Sequence, residues 1–222
     1  LSVIITTMLA YPMSRKSFKY RNALAFFVFF TMLFNGGLVP TYLMYVNYFH
    51  IKNTIWALII PNLLLSANNV LMIRSYFMTS IPEALYEAAK IDGAGHTKIF
   101  FQITFPLGKP ILVTMGLFSA LAYWNDWTNG LYYIRDTKLY GIQNLLNKMI
   151  SDLTALTQNA SGASTVAIAD IPSASVRMAI AFVAMLPILC LYPFLQRYFT
   201  KGIALGAVTD KDFAGFQISR RP

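Results

Sequence analysis

The side chains able to do chemistry are few and widely spread. His50 and His96 are far apart in sequence and share no metal-ligand spacing. The single cysteine, Cys190, lies inside an apolar run, where packing accounts for it. A phosphate loop of the form G-x-x-x-x-G-K-[ST] is missing, since Gly108-Lys109-Pro110 lacks both the upstream glycine and the hydroxyl after the lysine. No G-x-G-x-x-G, H-E-x-x-H or G-x-S-x-G occurs either. The chain is therefore not expected to be an enzyme, and no cofactor or metal is expected. What remains is recognition and docking, in three polar groups set among apolar runs: Asn62 with Ser66 and Asn69, Tyr123 to Trp127, and Ser80 to Pro110.

Asn62, Ser66 and Asn69 stand at i, i+4 and i+7, which predicts one face of a helix between Ile55 and Phe77, with Pro61 as a possible kink. Polar groups inside an apolar helix are expensive and face a cavity or a partner helix. Tyr123, Trp124, Asn125, Asp126 and Trp127 combine aromatic faces with hydrogen-bonding groups. Two readings are open for these residues. They line a pathway, or the amides and hydroxyls join helices while the aromatics form an interfacial belt.

Ser80 to Pro110 is the ordered polar interlude of the chain. Ser80 and Glu83 have capping-box spacing, with Pro82 in the first turn. Glu83 to Asp92 is rich in helix formers, and Gly93-Ala94-Gly95 predicts a sharp stop. A second short helix is expected from Thr97 to Thr104, with Ile99, Phe100 and Ile103 on one face and Phe105-Pro106 closing it. Two small helices joined by a glycine elbow make a docking element.

The elements that position these groups follow from composition. Of 222 residues 56% are hydrophobic and 12% charged, about half the charge of a soluble domain, so the fold class is an all-α polytopic membrane protein. The net charge of +9 is not a nucleic-acid footprint, because the Lys and Arg lie between apolar runs instead of on one soluble face. Spans are expected at about 22–46, 55–77, 110–134 and 176–199, and residues 1–11 read as a span cut short by the start of the sequence. On this topology 13 of the 18 Lys and Arg lie on or near one side, which the positive-inside rule makes cytoplasmic. That side carries the 80–106 loop and the 200–222 tail, and the 135–175 loop lies outside.

The fixed order Glu87-Ala88-Ala89, Asp92-Gly93-Ala94, then Ile103 and Pro106 resembles the cytoplasmic E-A-A-x-x-D-G-A … I-x-x-P loop of permease subunits of ATP-binding-cassette importers. Leu9-Ala10-Tyr11 before Ser14-Arg15 resembles the end of the family's second or third helix, while the runs FNGGLVPTYL and YWNDWTN and the tail from Lys201 to Val208 are similar to the carbohydrate branch that includes the maltose system. The resemblance implies a type I, MetI-like helical bundle in a bacterial cytoplasmic membrane. It also implies partners: a second permease subunit, two ATPase subunits, an extracytoplasmic sugar-binding protein and membrane lipid, with no nucleic acid. Glu87, Ala88, Ala89, Asp92, Gly93, Ala94, Ile103 and Pro106 would then form the coupling element seated in the ATPase. Asn62, Ser66, Asn69, Tyr123 and Asn125 would line the substrate pathway, since sugars need stacking faces together with donors and acceptors. Residues 154–165, small and polar, would suit a probe of the binding protein. An amino-acid permease of the same superfamily is one rival. An ion-coupled transporter, which would need an acidic or histidine site at the midplane, is another; only Asp126 approaches that need.

Overall fold

The computed structural model describes residues 1–159, 175–176, 178–190 and 193, and no strand occurs among them. In chain order the helices are α1 (Ser2–Ser14), α2 (Arg21–Leu33), α3 (Leu38–Tyr48), α4 (Trp56–Ile59), α5 (Ala67–Ser80), α6 (Glu83–Ile91), α7 (His96–Leu107), α8 (Lys109–Asn125), α9 (Thr128–Tyr133), α10 (Ile142–Asn159) and α11 (Met178–Cys190). They fall into two compact units. The described part of the first is Leu1–Met32 with Ala67–Phe118 and residue 193, and that of the second lies within Leu33–Ser66 and Ser119–Cys190.

The first unit is built on α1 against α5. Ser2, Thr6 and Ala10 recur every fourth residue on α1 and are buried, so small side chains let the two backbones approach closely. The Thr6 and Thr7 hydroxyls donate to the Ser2 and Val3 carbonyls at 2.7 and 2.6 Å, which satisfies both, whereas the Ser2 hydroxyl is buried without a partner. Val70, Ile73 and Phe77 form the buried face of α5 and meet Ala10, Met13, Ile99, Leu112 and Met115 in one core. Arg74 Nε donates to the Met13 carbonyl at 3.0 Å, satisfying an acceptor that the last turn of α1 leaves open.

The second unit gathers on Tyr133. Its ring stacks on Tyr42 at 5.5 Å between centroids and meets Tyr45 edge-on at 6.2 Å, with Ala57 and Ile134 beside it. Asn53, in the left-handed region at φ 59°, ties the turn down. Its N–H donates to the Tyr133 carbonyl, and its Oδ1 accepts from the N–H groups of Arg135 and Asp136.

Several expectations change. The segment 55–77 is not one helix: α4 ends at Ile59 and α5 begins at Ala67. Pro61 has no N–H to continue the ladder, and Asn62 adopts φ 61°, the left-handed conformation that stops a helix. Asn62, Ser66 and Asn69 are accordingly not on one helical face. Nor is 135–175 simply a loop, because α10 fills Ile142–Asn159. Leu145-Leu146, Met149-Ile150 and Leu153 carry its helical period, which the polar composition hid. In the 154–165 segment, residues 160–165 lie outside the described residues, as do the tail 200–222 and most of 191–199. Among the described residues no single helix is long and apolar enough to cross a membrane. Two bent pairs have the length and composition, Arg21–Leu33 with Leu38–Tyr48 and His96–Leu107 with Lys109–Asn125.

Candidate functional site

The first candidate is the helix–turn–helix of α6 and α7 in the first unit. Pro82 is the N-cap of α6, and no side chain caps it, so the expected Ser80–Glu83 capping box does not form. The Glu83 carboxylate has another partner. Its Oε1 lies 3.5 Å from Arg15 Nη2, and the Arg15 guanidinium sits 3.3 Å over the Tyr86 ring. Thr104 Oγ1 and the Tyr86 hydroxyl are hydrogen-bonded at 3.3 Å, and the Tyr11 hydroxyl donates to the His96 carbonyl at 3.4 Å. One cation at the end of α1 thus latches the first turn of α6, while Tyr86 and Tyr11 reach α7. Arg15 Nε and Nη1 are buried without a hydrogen-bond partner. Sequence reading took Arg15 as a topology-setting charge and as part of the family resemblance; the signal missed was a cation directly after an apolar helix, facing a glutamate in the polar loop.

The stop of α6 explains the spacing of its motif. The Gly93 N–H donates to the Lys90 carbonyl at 3.0 Å and the Ala94 N–H to the Ala89 carbonyl at 2.9 Å. With Gly93 at φ 73°, this pair of bonds is the left-handed helix closure that glycine accepts without strain. Ala89 is buried and Ala94 packs on the same core, the apolar contact that accompanies such closures. The opposite face is open. Ala84, Glu87, Ala88 and Ile91 are all exposed, and Ile91 is 86% exposed, at the end of α6 beside exposed Asp92.

α7 starts at His96, whose side chain is exposed, and runs past the expected stop at Phe105-Pro106 to Leu107. The π-helical turn Phe100–Thr104 brings the Phe105 N–H to the Phe100 carbonyl, and the wider turn accommodates the proline that follows. The chain turns at Gly108 instead, by 78° into α8. A Cβ there would lie 2.6 Å from Phe77 Cε1 and 2.9 Å from the Thr104 carbonyl oxygen, so only glycine fits. Ile103 is half-buried against the core and Pro106 is exposed.

The second candidate lies in the second unit at the break after α4. Tyr123 donates its hydroxyl proton to the Ile59 carbonyl at 2.8 Å, and buried Asn129 donates Nδ2–H to the Pro61 carbonyl at 3.0 Å. These carbonyls lost helical partners when Asn62 turned left-handed. Asn62 and Ser66 flank the same break, exposed and half-buried, and Asn125 is exposed at the end of α8. Asn69 belongs to α5 in the other unit, so the five predicted pathway residues do not form one cluster within a unit. Asn129 was missed. Asp126 Oδ1, one residue before the Trp127 N-cap of α9, accepts from the Asn129 N–H at 3.2 Å. Among the described residues no group of His, Cys, Asp and Glu could hold a metal.

The described residues thus form helices only, with two bent apolar helix pairs and a latched helix–turn–helix. The chain belongs to the family of binding-protein-dependent transport system inner membrane components, whose profile matches residues 2–205. It is 38% identical over 208 residues to the protein LplC of Bacillus subtilis, covering 93% of this chain and 68% of that one. It is 36% identical to the polygalacturonan/rhamnogalacturonan transport system permease YtcP of the same organism, covering 93% and 71%. A crystal structure of a bacterial ABC transporter involved in the import of the acidic polysaccharide alginate superposes with a TM-score of 0.69 at 26% identity, covering 89% of this chain and 73% of that one.

Proposed function

We propose that this chain is a permease subunit of an importer for a sugar or oligosaccharide, moving it across the cytoplasmic membrane while separate ATPase subunits hydrolyse ATP. Sugar transport comes from its relatives, which include a melibiose/raffinose/stachyose import permease at 32% identity. The observation that carries the coupling role is the open face of α6. An apolar side chain as exposed as Ile91, beside Ala88 and Glu87 on a helix stopped by a rigid closure, is a surface awaiting a protein groove. Ala88 allows close approach, Glu87 and Asp92 supply charge for pairing, and Ala89, Gly93 and Ala94 hold the element's shape. Ile103 and Pro106 set the path from α7 toward α8. Differential docking of this face in two states of the ATPase dimer would shift the permease between two conformations.

The pathway reading places Asn62, Ser66, Tyr123 and Asn125 at the broken helix and Asn69 on α5. Non-helical backbone at membrane depth is tolerated where it lines a cavity or is buried in protein, which favours a lining role for the break after α4. A second permease, two ATPase subunits and an extracytoplasmic binding protein complete the proposed assembly.

Two measurements test this. Purification of the tagged chain should bring down an ATPase and a second permease. Uptake across a panel of oligosaccharides should require the binding protein. Uptake that persists without ATP or without any copurifying ATPase would reject the proposal.

A further inference from the structure

One face of α1 changes character along its length. Ile4, Met8, Tyr11 and Arg15 recur at helical spacing, and Ile4 and Met8 are 57% and 59% exposed. The first two are apolar and the last is a cation, and Arg15 lies about 10 Å beyond Met8 along the axis. Two adjoining cavities follow this gradient. The smaller, about 200 Å³, is lined by Met8, Phe100 and Phe101; the larger, about 580 Å³, is lined by Arg15, Ser17 and Lys90 together with the apolar Pro12 and Phe18. Met8, Tyr11 and His96 line both, so they form one groove. Among the described residues no acidic side chain lines either cavity. Glu83 answers Arg15 through Nη2 alone, and Nε and Nη1 remain buried without partners.

We infer that this groove holds an anionic phospholipid of the inner leaflet. Its phosphate would sit at the end formed by the exposed Lys90 and His96, with the buried Arg15 adding positive charge nearby, and an acyl chain would lie over Met8 and Phe101. The charge is complementary, the apolar and cationic ends come in the right order, and basic pockets between helices on the cytoplasmic side suit phospholipid head groups. Because Lys90 belongs to α6 and His96 to α7, the lipid would touch both arms of the coupling element. The inference rests on the proposed reading that puts this element at the cytoplasmic face, which copurification and uptake test separately.

The test is photolabelling of the whole assembled transporter in vesicles with a phosphatidylglycerol carrying a photoreactive acyl chain, followed by mapping of the labelled peptides. Label is expected on the peptides containing Met8 and Phe101, displaced by unlabelled phosphatidylglycerol and not by phosphatidylcholine. Lys90→Gln, at an exposed position, should weaken competition by phosphatidylglycerol about fivefold, and His96→Ala should weaken it further. Equal displacement by phosphatidylcholine would overturn the proposal. So would absence of label in these peptides, because another subunit or a further segment of the chain would then cover the groove. Displacement by inorganic phosphate as effective as by the lipid would reassign the site to a free anion.

Discussion

Removal of Glu83 is more damaging than removal of the whole Arg15–Glu83 pair. The Arg15 side chain is 4% exposed and that of Glu83 is 33% exposed, so the cation is the member that cannot return to water. In Glu83→Ala the guanidinium stays buried over Tyr86 with no carboxylate and with Nε and Nη1 already unpartnered. Breaking a buried pair in this way costs about 3–5 kcal/mol, and the partial exposure of Glu83 argues for the lower end. In Arg15→Met/Glu83→Ala no charge remains to be buried. The methionine occupies much of the arginine stem's volume and keeps a sulfur–aromatic contact with Tyr86, so the loss should fall to about 1–2 kcal/mol. Thermal unfolding of the purified assembly should therefore rank wild type first, the double variant next and Glu83→Ala last. The same variants, reconstituted with binding protein, should lose uptake per ATP hydrolysed before they lose ATP hydrolysis, because the latch ties α6 to α1. A double variant no more stable than Glu83→Ala, or additive with it, would refute the buried-charge argument.

Further outcomes follow from the glycines and the helix break. Gly93→Val puts a β-branched side chain at φ 73° and should cost about 1–2 kcal/mol locally, leaving the protein in the membrane while uncoupling ATP hydrolysis from uptake; normal uptake would count against it. Gly108→Ala should lower stability by about 1–3 kcal/mol because Phe77 and the Thr104 carbonyl crowd the new methyl, while Gly95→Ala, with open space and φ −69°, should be neutral in the same unfolding assay. Asn129→Ala should cost about 1–3 kcal/mol by orphaning the Pro61 carbonyl, whereas Asn125→Ala should leave stability unchanged and alter only the affinity or rate of uptake. Tyr123→Phe removes the donor to Ile59 and should destabilise by about 1 kcal/mol; unchanged unfolding and transport would remove Tyr123 from both roles.

The helix–turn–helix of α6 and α7 was legible because its residues act locally. The interval from Ala89 to Gly93 and Ala94 is the interval of the backbone bonds that close α6, so sequence spacing and geometry are the same statement. Long-range partners were not legible in the same way. Glu83 has capping-box spacing to Ser80, yet Arg15, 68 positions earlier in the chain, takes its carboxylate. The stripe from Asn62 to Asn69 had a helical period, but Pro61 and the left-handed Asn62 broke the helix that would have aligned it. α10 was hidden for the opposite reason: its apolar positions are regular, but its many polar residues read as a loop once a membrane topology had been assumed.

The π-helical turn Phe100–Thr104 gives α7 one residue of slack. Such turns hold one residue more than the α-helix they interrupt. Loss of one residue there would let α7 relax to a regular helix, the wide turn absorbing the change, and Gly108 would keep its seat against Phe77. Gain of one residue meets no such reserve and would turn everything beyond it by about 100° and push it on by about 1.5 Å, bringing a side chain to the place where only hydrogen fits. Single-residue insertions between 100 and 104 are therefore more disruptive than single-residue deletions in the same stretch. The segment is a turn of stored length, able to give up a residue and unable to take one in.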